Sequence, residues 1–261
     1  MSKYSSYGYQ KIPAWEKRRL ILGHFETIAR RYDLADALLS FGLHFLWRQR
    51  AMHRLHLHPG ARVLDVCAGT GDFALLAARA AGPQGRVVAC DISRAMMAAG
   101  RDKAARAHVS DRVFWVQGDA EHMGLGRDSF DAVLVGYGIR NFVFLEQGLE
   151  EMNRVLRPGG RLVAMEFSIP RTAWIQNLYH HYSFKILPWA GRLITGTAEP
   201  FYYLAESVRV FPPPEQVQEL MTEKGFINTA FERLSNGLAV IYSGEKPDPG
   251  QLLKWHEKLG N

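Results

Sequence analysis

The sequence predicts an α/β fold in which a mostly parallel sheet of seven strands carries helices on both faces. From residue 61 onward, short apolar runs alternate with helical segments, which is typical of strand–helix–strand crossovers. A glycine-rich turn, Gly69-Thr70-Gly71, follows the first of these runs. The composition is that of a globular protein, with 47% hydrophobic and 22% charged residues. A collagenous, coiled-coil or wholly disordered chain is therefore excluded.

Three segments are predicted along the 261 residues. Residues 1–14 are rich in Ser, Tyr and Lys and indicate a flexible arm. Residues 15–247 indicate a single domain. Its first part, residues 15–58, is expected to be a helical cap because apolar residues recur every three or four positions, with a break near Ser40–Gly42. Residues 248–261 are expected to form a C-terminal tail.

Apolar and β-branched runs indicate the strands of the sheet, and helical patterns separate them. The predicted strands are Ala61–Val66, Arg86–Cys90, Val113–Val116, Ala132–Val135, Arg161–Phe167, Asn228–Arg233 and Leu238–Tyr242. The predicted helices are Phe73–Ala81, one that Ser93 caps, Leu145–Leu156 and Gln216–Lys224. The aromatic segment Pro170–Pro214 interrupts this alternation. It is expected to cover the carboxyl edge of the sheet as a lid, where ligands bind in open α/β sheets.

The charge and the apolar runs limit the partners and the location. The formal net charge of +6 permits an anionic partner, but Lys and Arg are scattered and no RNA-binding motif is present, so no nucleic acid is expected. No apolar run reaches the roughly 18–20 residues that span a bilayer, and the N-terminus lacks the pattern of a signal peptide. A cytoplasmic protein with peripheral contact at the inner face of the membrane is expected.

Cysteines and histidines give no indication of a metal site. Cys67 and Cys90 are too few for a disulfide framework or a four-cysteine zinc site. His53, His56 and His58 are close in sequence but have no acidic or cysteine neighbour, so no metal is predicted.

The glycine-rich turn is the first indication of a ligand-binding site. Gly69 and Gly71 let the backbone turn sharply and approach a ligand closely. No Gly-Lys-Ser/Thr follows, so the turn is not a phosphate-binding P-loop. Asp65 and Asp72 flank it and would repel a phosphate, whereas a cationic ligand such as S-adenosylmethionine would be favoured.

Three further loops follow strands that are expected to end at the same edge of the sheet. Asp91 comes 20 residues after Gly71, where a carboxylate can accept hydrogen bonds from the ribose hydroxyls of a nucleoside. Asp119 could accept a hydrogen bond from an adenine amino group, and the next amide, that of Ala120, could donate one. The loop Gly136–Asn141 places an arginine at the same edge.

With these motifs the sequence resembles the class I S-adenosylmethionine-dependent methyltransferases, and more narrowly the C-methyltransferases of menaquinone and ubiquinone biosynthesis. The resemblance covers residues 24–247. The general part comprises the glycine turn, Asp91, Asp119 and the turn Leu156-Arg157-Pro158-Gly159-Gly160. The narrower part comprises Ala29-Arg30-Arg31-Tyr32-Asp33, Leu39-Ser40-Phe41-Gly42-Leu43-His44, Trp47, Tyr137-Gly138-Ile139-Arg140-Asn141, Glu166-Phe167-Ser168, Pro170, Tyr182-Ser183-Phe184, Leu187-Pro188 and Tyr203-Leu204-Ala205-Glu206-Ser207-Val208.

The resemblance implies S-adenosylmethionine as the cofactor. Thr70 and the glycines beside it would hold the methionine end, and Asp91 the ribose. Asp119 and Ala120 would hold the adenine. The complete set of cofactor-binding residues that it implies is Asp65, Gly69, Thr70, Gly71, Asp91, Asp119, Ala120 and Gly136.

The acceptor that the resemblance implies is a ring carbon of a polyprenylated quinol, most simply demethylmenaquinol, or the corresponding benzoquinol of the ubiquinone pathway. Arg140 would stabilise a developing phenolate. A base must remove a proton, and the catalytic candidates besides Arg140 are Tyr32, Asp33 and His181. His180, Tyr182 and Glu206 are further candidates for the base, and the sequence does not rank them.

Departures from the family pattern leave an alternative: a methyltransferase that acts on another small aromatic or lipid acceptor. The departures are Ala35, Phe45, Pro200 and Tyr242, all in the half of the chain expected to bind the acceptor. A homodimer is also expected, but no motif in the sequence indicates one.

Overall fold

The chain begins with a β-hairpin. The computed structural model describes residues 3–250, and its first strands, β1 (Tyr4–Tyr7) and β2 (Gln10–Pro13), pair antiparallel. Gly8 makes the turn at a φ of +54°, a region that favours glycine. The predicted flexible arm is wrong for residues 4–13. The reason is that the hairpin packs on distant residues, and the Tyr7 ring stacks on Tyr203 with centroids 4.6 Å apart.

Three helices follow and form the expected cap: α1 (Ala14–Ile28), α2 (Tyr32–Leu39) and α3 (Leu43–Leu55). The break predicted near Ser40–Gly42 separates α2 from α3, where Gly42 has a φ of +73°. The apolar spacing of three and four residues is thus helical in the structure, and the break falls where glycine permits a left-handed residue.

The central sheet contains the seven predicted strands: β3 (Arg62–Val66), β4 (Arg86–Asp91), β5 (Val113–Gln117), β6 (Phe130–Gly136), β7 (Leu156–Phe167), β8 (Ile227–Leu234) and β9 (Ala239–Glu245). Their order is β5-β4-β3-β6-β7-β9-β8. The first five run parallel, and β9 pairs antiparallel with both β7 and β8. The carboxyl ends of β3, β4, β5 and β6 therefore meet at one edge, and the mostly parallel sheet is confirmed.

Helices cover both faces of this sheet: α3, α4 (Asp72–Ala80) and α5 (Arg94–Arg106) on one face, and α6 (Leu145–Val155) and α10 (Pro214–Glu223) on the other. The remaining helices, α7 (Ala173–His181), α8 (Leu187–Thr195) and α9 (Glu199–Val210), lie in the segment between β7 and α10. Short 3₁₀ turns lie at Ala29–Arg31, Ile139–Asn141 and Ser235–Gly237. Successive residues of a strand face opposite sides, so Val63 packs in the core under α3 and α4, and Leu64 in the core under α6 and α10. Ser93 caps α5 as predicted, accepting a hydrogen bond from the Met96 amide at 3.3 Å.

The aromatic segment after β7 forms the helical lid. A π-helical turn, Tyr182–Ile186, joins α7 to α8, and α8 packs against α2 of the cap. Gly191 permits a close contact with α9, because a Cβ there would lie 2.2 Å from the Phe201 ring. The lid therefore packs against α2 of the cap, whereas α3 packs on the sheet itself. Within the described range, no helix has the length and apolar character that crossing a membrane requires.

Buried ion pairs connect the cap to the helix that follows the glycine turn. Arg48 of α3 is 5% exposed and contacts Asp36 of α2 at 2.7 Å and Asp72 of α4 at 2.8 Å. Lys103 of α5 contacts Asp33 and Asp72, each at 2.6 Å. Removing the Arg48 charge would leave two partly buried carboxylates without their shared cation.

We expect Arg48→Met to lower the free energy of unfolding by about 2–4 kcal/mol, because breaking a buried pair leaves an uncompensated charge. Arg50→Met is the matched control on the same helix, since the Arg50 side chain is 53% exposed in its pair with Glu232. That exposed pair contributes at most about 1 kcal/mol. Urea unfolding of both variants measures the difference, and equal losses would contradict the structural role of Arg48.

Candidate active site

Loops at the carboxyl edge of the sheet surround a narrow cavity, here called the cofactor cavity. The ends of β3, β4, β5 and β6 supply its walls, and Phe25 and Tyr32 of the cap close it. Among the residues predicted to bind the cofactor, those that line it are Gly69, Asp91, Asp119, Ala120 and Gly136. The register of the parallel strands brings these loops together: Val66 pairs with Cys90, and Asp91 with Gln117.

The glycine turn needs glycine at both positions. Gly69 and Gly71 have φ angles of +55° and +80°, which side chains rarely adopt. A Cβ on Gly71 would also lie 2.5 Å from the Trp115 ring. The turn therefore brings bare backbone to the wall of the cavity and starts α4 immediately after it.

Asp91 joins two of these loops. Its Oδ2 accepts a hydrogen bond from the Gly69 amide, and its Oδ1 accepts one from the Ser93 amide, each at 2.8 Å. Burial raises the pKa of the carboxyl group, and the donated amide hydrogen bonds oppose that rise. A carboxylate has about four acceptor sites, so Asp91 could accept further hydrogen bonds from a ligand.

The wall of the cofactor cavity around Asp119 contains an arginine, Arg18, that the sequence does not predict as a site residue. Arg18 of α1 contacts Asp119 at 3.1 Å and Glu121 at 3.2 Å. Glu121 is 3% exposed and accepts the Val143 amide at 2.7 Å, which holds two loops of the cavity together. Asp119 stays partly exposed and lines the cavity beside Ala120. No local pattern distinguishes Arg18 from its basic neighbours on α1.

Three residues predicted to bind the cofactor, Asp65, Thr70 and Gly71, do not line this cavity. Thr70 is 3% exposed, and its hydroxyl donates to Asp33 at 2.5 Å and accepts from Lys103 at 3.1 Å. Asp65 is 1% exposed within β3, and its pKa is raised well above the usual range by burial, although the Ala74 amide opposes the rise. In this arrangement both side chains position the turn instead of lining the cavity.

The cavity fits an adenosyl ligand in its donor and acceptor groups. Asp91 and Asp119 provide carboxylate acceptors for hydroxyl and amino groups. One residue of its wall, Gly136, has to be a glycine, because a Cβ there would lie 2.2 Å from the Phe73 ring. No pair of lysine or arginine side chains is present on this wall to match a pyrophosphate, and Arg18 is already paired with two carboxylates.

A second and larger cavity, here called the acceptor cavity, lies between the cap and the lid. Its volume of about 430 Å³ is within the usual range for small-molecule sites. Apolar and aromatic residues make up most of its wall, including Ile28, Leu39, Phe167, Ile175, Leu178, Ile186 and Leu204. Phe25 and Tyr32 line both cavities, so the two spaces adjoin at these side chains.

Arg140 brings a buried cation to the acceptor cavity. Its Nη1 donates to Glu166 Oε1 at 2.7 Å, and Glu166 is 0% exposed. Burial lowers the pKa of the guanidinium, but the charge and hydrogen bond of Glu166 together with Tyr203 and Tyr32 outweigh burial, and the pKa is raised. Arg140 Nε is buried and, among the described residues, has no hydrogen-bond partner. The protein therefore leaves this N–H group without an acceptor among the described residues.

The other predicted catalytic residues are not all brought together. Tyr32 lines both cavities, and burial raises its pKa, so its hydroxyl stays protonated at neutral pH. Asp33 lines neither cavity and is paired with Lys103. His181 is exposed on α7, outside both cavities, where its Nδ1 lies 2.9 Å from the Asn177 carbonyl oxygen. His24, which sequence reasoning missed, lines the acceptor cavity instead.

The departures from the family pattern separate into two groups. Ala35 and Pro200 line the acceptor cavity. Phe45 is 57% exposed, and Tyr242 is a buried core residue of β9. Only the first two can touch an acceptor directly.

The sheet order and the loops at its carboxyl edge define a class I methyltransferase, as the sequence predicts. A solved S-adenosylmethionine-dependent methyltransferase from Thermotoga maritima is similar to 86% of this chain, over 98% of its own, with a TM-score of 0.59 and 21% identity. A profile of the ubiE/COQ5 methyltransferase family matches residues 14–246, so the chain belongs to that family.

Curated relatives agree with this assignment. The ubiquinone/menaquinone biosynthesis C-methyltransferase UbiE of Pseudomonas paraeruginosa is 38% identical over 92% of this chain and 94% of its own. The protein of the same name from Bradyrhizobium diazoefficiens is 39% identical over 91% of this chain and 95% of its own. The predictions of an S-adenosylmethionine-dependent C-methyltransferase and of S-adenosylmethionine as its cofactor are thereby confirmed.

We expect Glu166→Gln to lower the free energy of unfolding by about 2–4 kcal/mol, because the Arg140 charge would stay buried without its counter-charge. Glu215→Gln is the control, since Glu215 is exposed in its pair with Arg233 and should matter little. Denaturant unfolding at pH 7 compares the two. A loss at Glu166 no greater than that at Glu215 would show that the buried pair does not support the site.

Proposed function

We propose that the protein transfers a methyl group from S-adenosylmethionine to a ring carbon of a polyprenylated quinol, most simply demethylmenaquinol. The observation that carries the proposal is a large apolar cavity that contains a buried arginine and adjoins the cofactor cavity at Phe25 and Tyr32. A flat aromatic ring with an apolar tail matches the wall, and its hydroxyl oxygens match Arg140. The names of the curated relatives support a quinone acceptor.

The residues of this chain have two tasks in such a reaction. S-adenosylmethionine, when bound, supplies a methyl group that is already activated, so alignment is the main requirement. Phe25 and Tyr32 stand where the two ligands would meet. Arg140 Nε can donate to a quinol oxygen as negative charge develops on it, and the low polarity of the wall strengthens that interaction.

An alternative acceptor is favoured by one observation. Ala35 and Pro200, which depart from the family pattern, both line the acceptor cavity. The alternative is a different small aromatic or lipid acceptor, which these two wall positions would select.

Transfer of labelled methyl groups to a panel of reduced quinones tests the proposal. We expect label in demethylmenaquinol, with Asp91→Ala losing both cofactor affinity and label. Arg140→Lys keeps a positive charge beside Glu166 but loses the planar guanidinium group with its several N–H donors. The variant should therefore bind cofactor normally and transfer the methyl group at least tenfold more slowly. The control Asp102→Ala, at an exposed position of α5, should match the wild type.

Two results would contradict this function. Cofactor binding without label in any quinol would replace the quinol by another acceptor. Label in the benzoquinol alone would move the reaction to the ubiquinone pathway.

We also propose that an apolar rim at the mouth of the acceptor cavity contacts an anionic lipid bilayer at the inner face of the membrane. Pairs of exposed apolar residues four positions apart, which lie on the same side of a helix, occur on α2, α7 and α8. They are Leu34 and Leu38, Trp174 and Leu178, and Trp189 and Leu193, each at least 54% exposed.

The position and the charge of this rim favour a membrane as its partner. Leu178 also lines the acceptor cavity, so the rim continues into the site that a prenyl tail would enter. Arg30, Arg31, Lys185 and Arg192 are exposed on the same or adjoining elements. Apolar side chains with basic neighbours are typical of contact with anionic lipid.

Sedimentation with phosphatidylglycerol-containing vesicles tests this contact. We expect Trp174→Ser with Trp189→Ser to weaken vesicle binding at least fivefold, because two large apolar side chains no longer enter the bilayer. Trp15→Ser is the control: Trp15 is 64% exposed, at the end of α1 remote from the cavity. Unchanged vesicle binding would contradict the proposal, and loss of a dimer by the double variant would assign the rim to a second copy.

A further inference from the structure

His24 is a buried histidine of α1 that lines the acceptor cavity together with Arg140. Its Nε2 is hydrogen-bonded to the hydroxyl of Tyr7, which does not line that cavity. Within residues 3–250 its Nδ1 makes no hydrogen bond. Since Nε2 is occupied from the protein side, Nδ1 is the ring nitrogen available to a molecule in the cavity.

Aromatic side chains hold the imidazole in place. The Tyr203 ring stacks on His24 with centroids 5.7 Å apart and on Tyr7 at 4.6 Å. The Tyr203 hydroxyl donates to Asn141 Oδ1 at 3.1 Å, and Asn141 lines the cofactor cavity. These contacts connect the histidine, through Tyr203, to a residue of the cofactor cavity wall.

Other titratable groups of this wall are poor proton acceptors near pH 7. Burial raises the pKa of the lining tyrosines, which are Tyr32, Tyr179, Tyr182 and Tyr203. Asp36 is committed to Arg48 at 2.7 Å, and Arg140 carries a permanent charge. An uncharged imidazole has a lone pair at this pH, so His24 is the lining group suited to accept a proton.

On the basis of the proposed function, we propose that His24 is the general base of methyl transfer: in the tautomer whose Nε2–H donates to the Tyr7 hydroxyl oxygen, Nδ1 has the lone pair that accepts the acceptor's hydroxyl proton. The oxygen keeps the electron pair of its O–H bond, which makes the ring carbon more nucleophilic. The new C–C bond forms as the donor's C–S bond breaks, and the electron pair of the C–S bond stays on sulfur. The ring proton then leaves to water, and the imidazolium returns its proton to the oxygen, so one proton is released in total.

The charges around His24 predict its pH dependence. Burial lowers its pKa below the ordinary 6.5, and Glu199 of α9 partly opposes this. From β1, Tyr7 faces the ring with a hydroxyl whose pKa is raised by burial to about 12, so it stays protonated, and Glu206 of α9 lies near that hydroxyl. Tyr203 stays protonated too. Activity should therefore be constant near pH 7 and fall as the pH drops below the His24 pKa.

Quinol methylation by the full-length protein tests the proposal. We expect His24→Gln to lower kcat about 10²–10³-fold, to leave cofactor affinity within about twofold, and to abolish the acidic limb of the pH profile. His24→Ala should recover activity when imidazole is added, which a purely structural role would not produce. His53→Gln, at an exposed position of α3, should behave as the wild type.

Near-normal kcat with an unchanged acidic limb in His24→Gln would overturn the role of His24, as would an effect confined to KM. If both variants fail to fold, the wild-type profile decides: an acidic limb below pH 6.5 supports His24, and a flat profile down to pH 5 overturns it. A wild type that binds cofactor and methylates no quinol would overturn the proposed function, and the base assignment with it.

Discussion

The bridge from Arg48 to Asp36 and Asp72 is the interaction on which the two-cavity arrangement depends. Arg48 lies in the cap, Asp72 is the first residue after the glycine turn, and both are largely withdrawn from water. Because opposite charges in a region of low polarity attract strongly, a shift of the cap that separated Arg48 from Asp72 would be costly. Phe25 and Tyr32, which belong to the cap or its junctions, are thereby kept between the two ligand spaces.

The cofactor half of the site could be predicted from the sequence because its signals are local. A strand, a glycine turn and an acidic residue at the end of the next strand all lie within the 31 residues from 61 to 91. Parallel pairing then brings Gly69 and Asp91 together without any information from elsewhere in the chain. Thr70 was harder to place, because a loop pattern does not predict whether a side chain in the turn lines the cavity or bonds to neighbouring helices.

The acceptor half could be predicted only as a region. Tyr7, His24 and Tyr203 form one stack, but they come from β1, α1 and α9, and no periodicity links them. Asp33 and His181 are candidates by residue type alone, and the fold places one in an ion pair and the other at the surface. Arg140 was recognised because its loop follows a strand, whereas its partner Glu166 completes the site from β7.

The cap and the lid contribute most of the acceptor wall but none of the strands of the central sheet. Residues that hold the sheet together are therefore largely separate from residues that touch the acceptor, with Arg140 and Phe167 among the exceptions. Such a division lets acceptor preference evolve with little cost to folding, because substitutions such as those at Ala35 and Pro200 alter the wall and leave the sheet intact. It also makes the two helical segments natural units for exchange between related enzymes when a methyltransferase is engineered for a new acceptor.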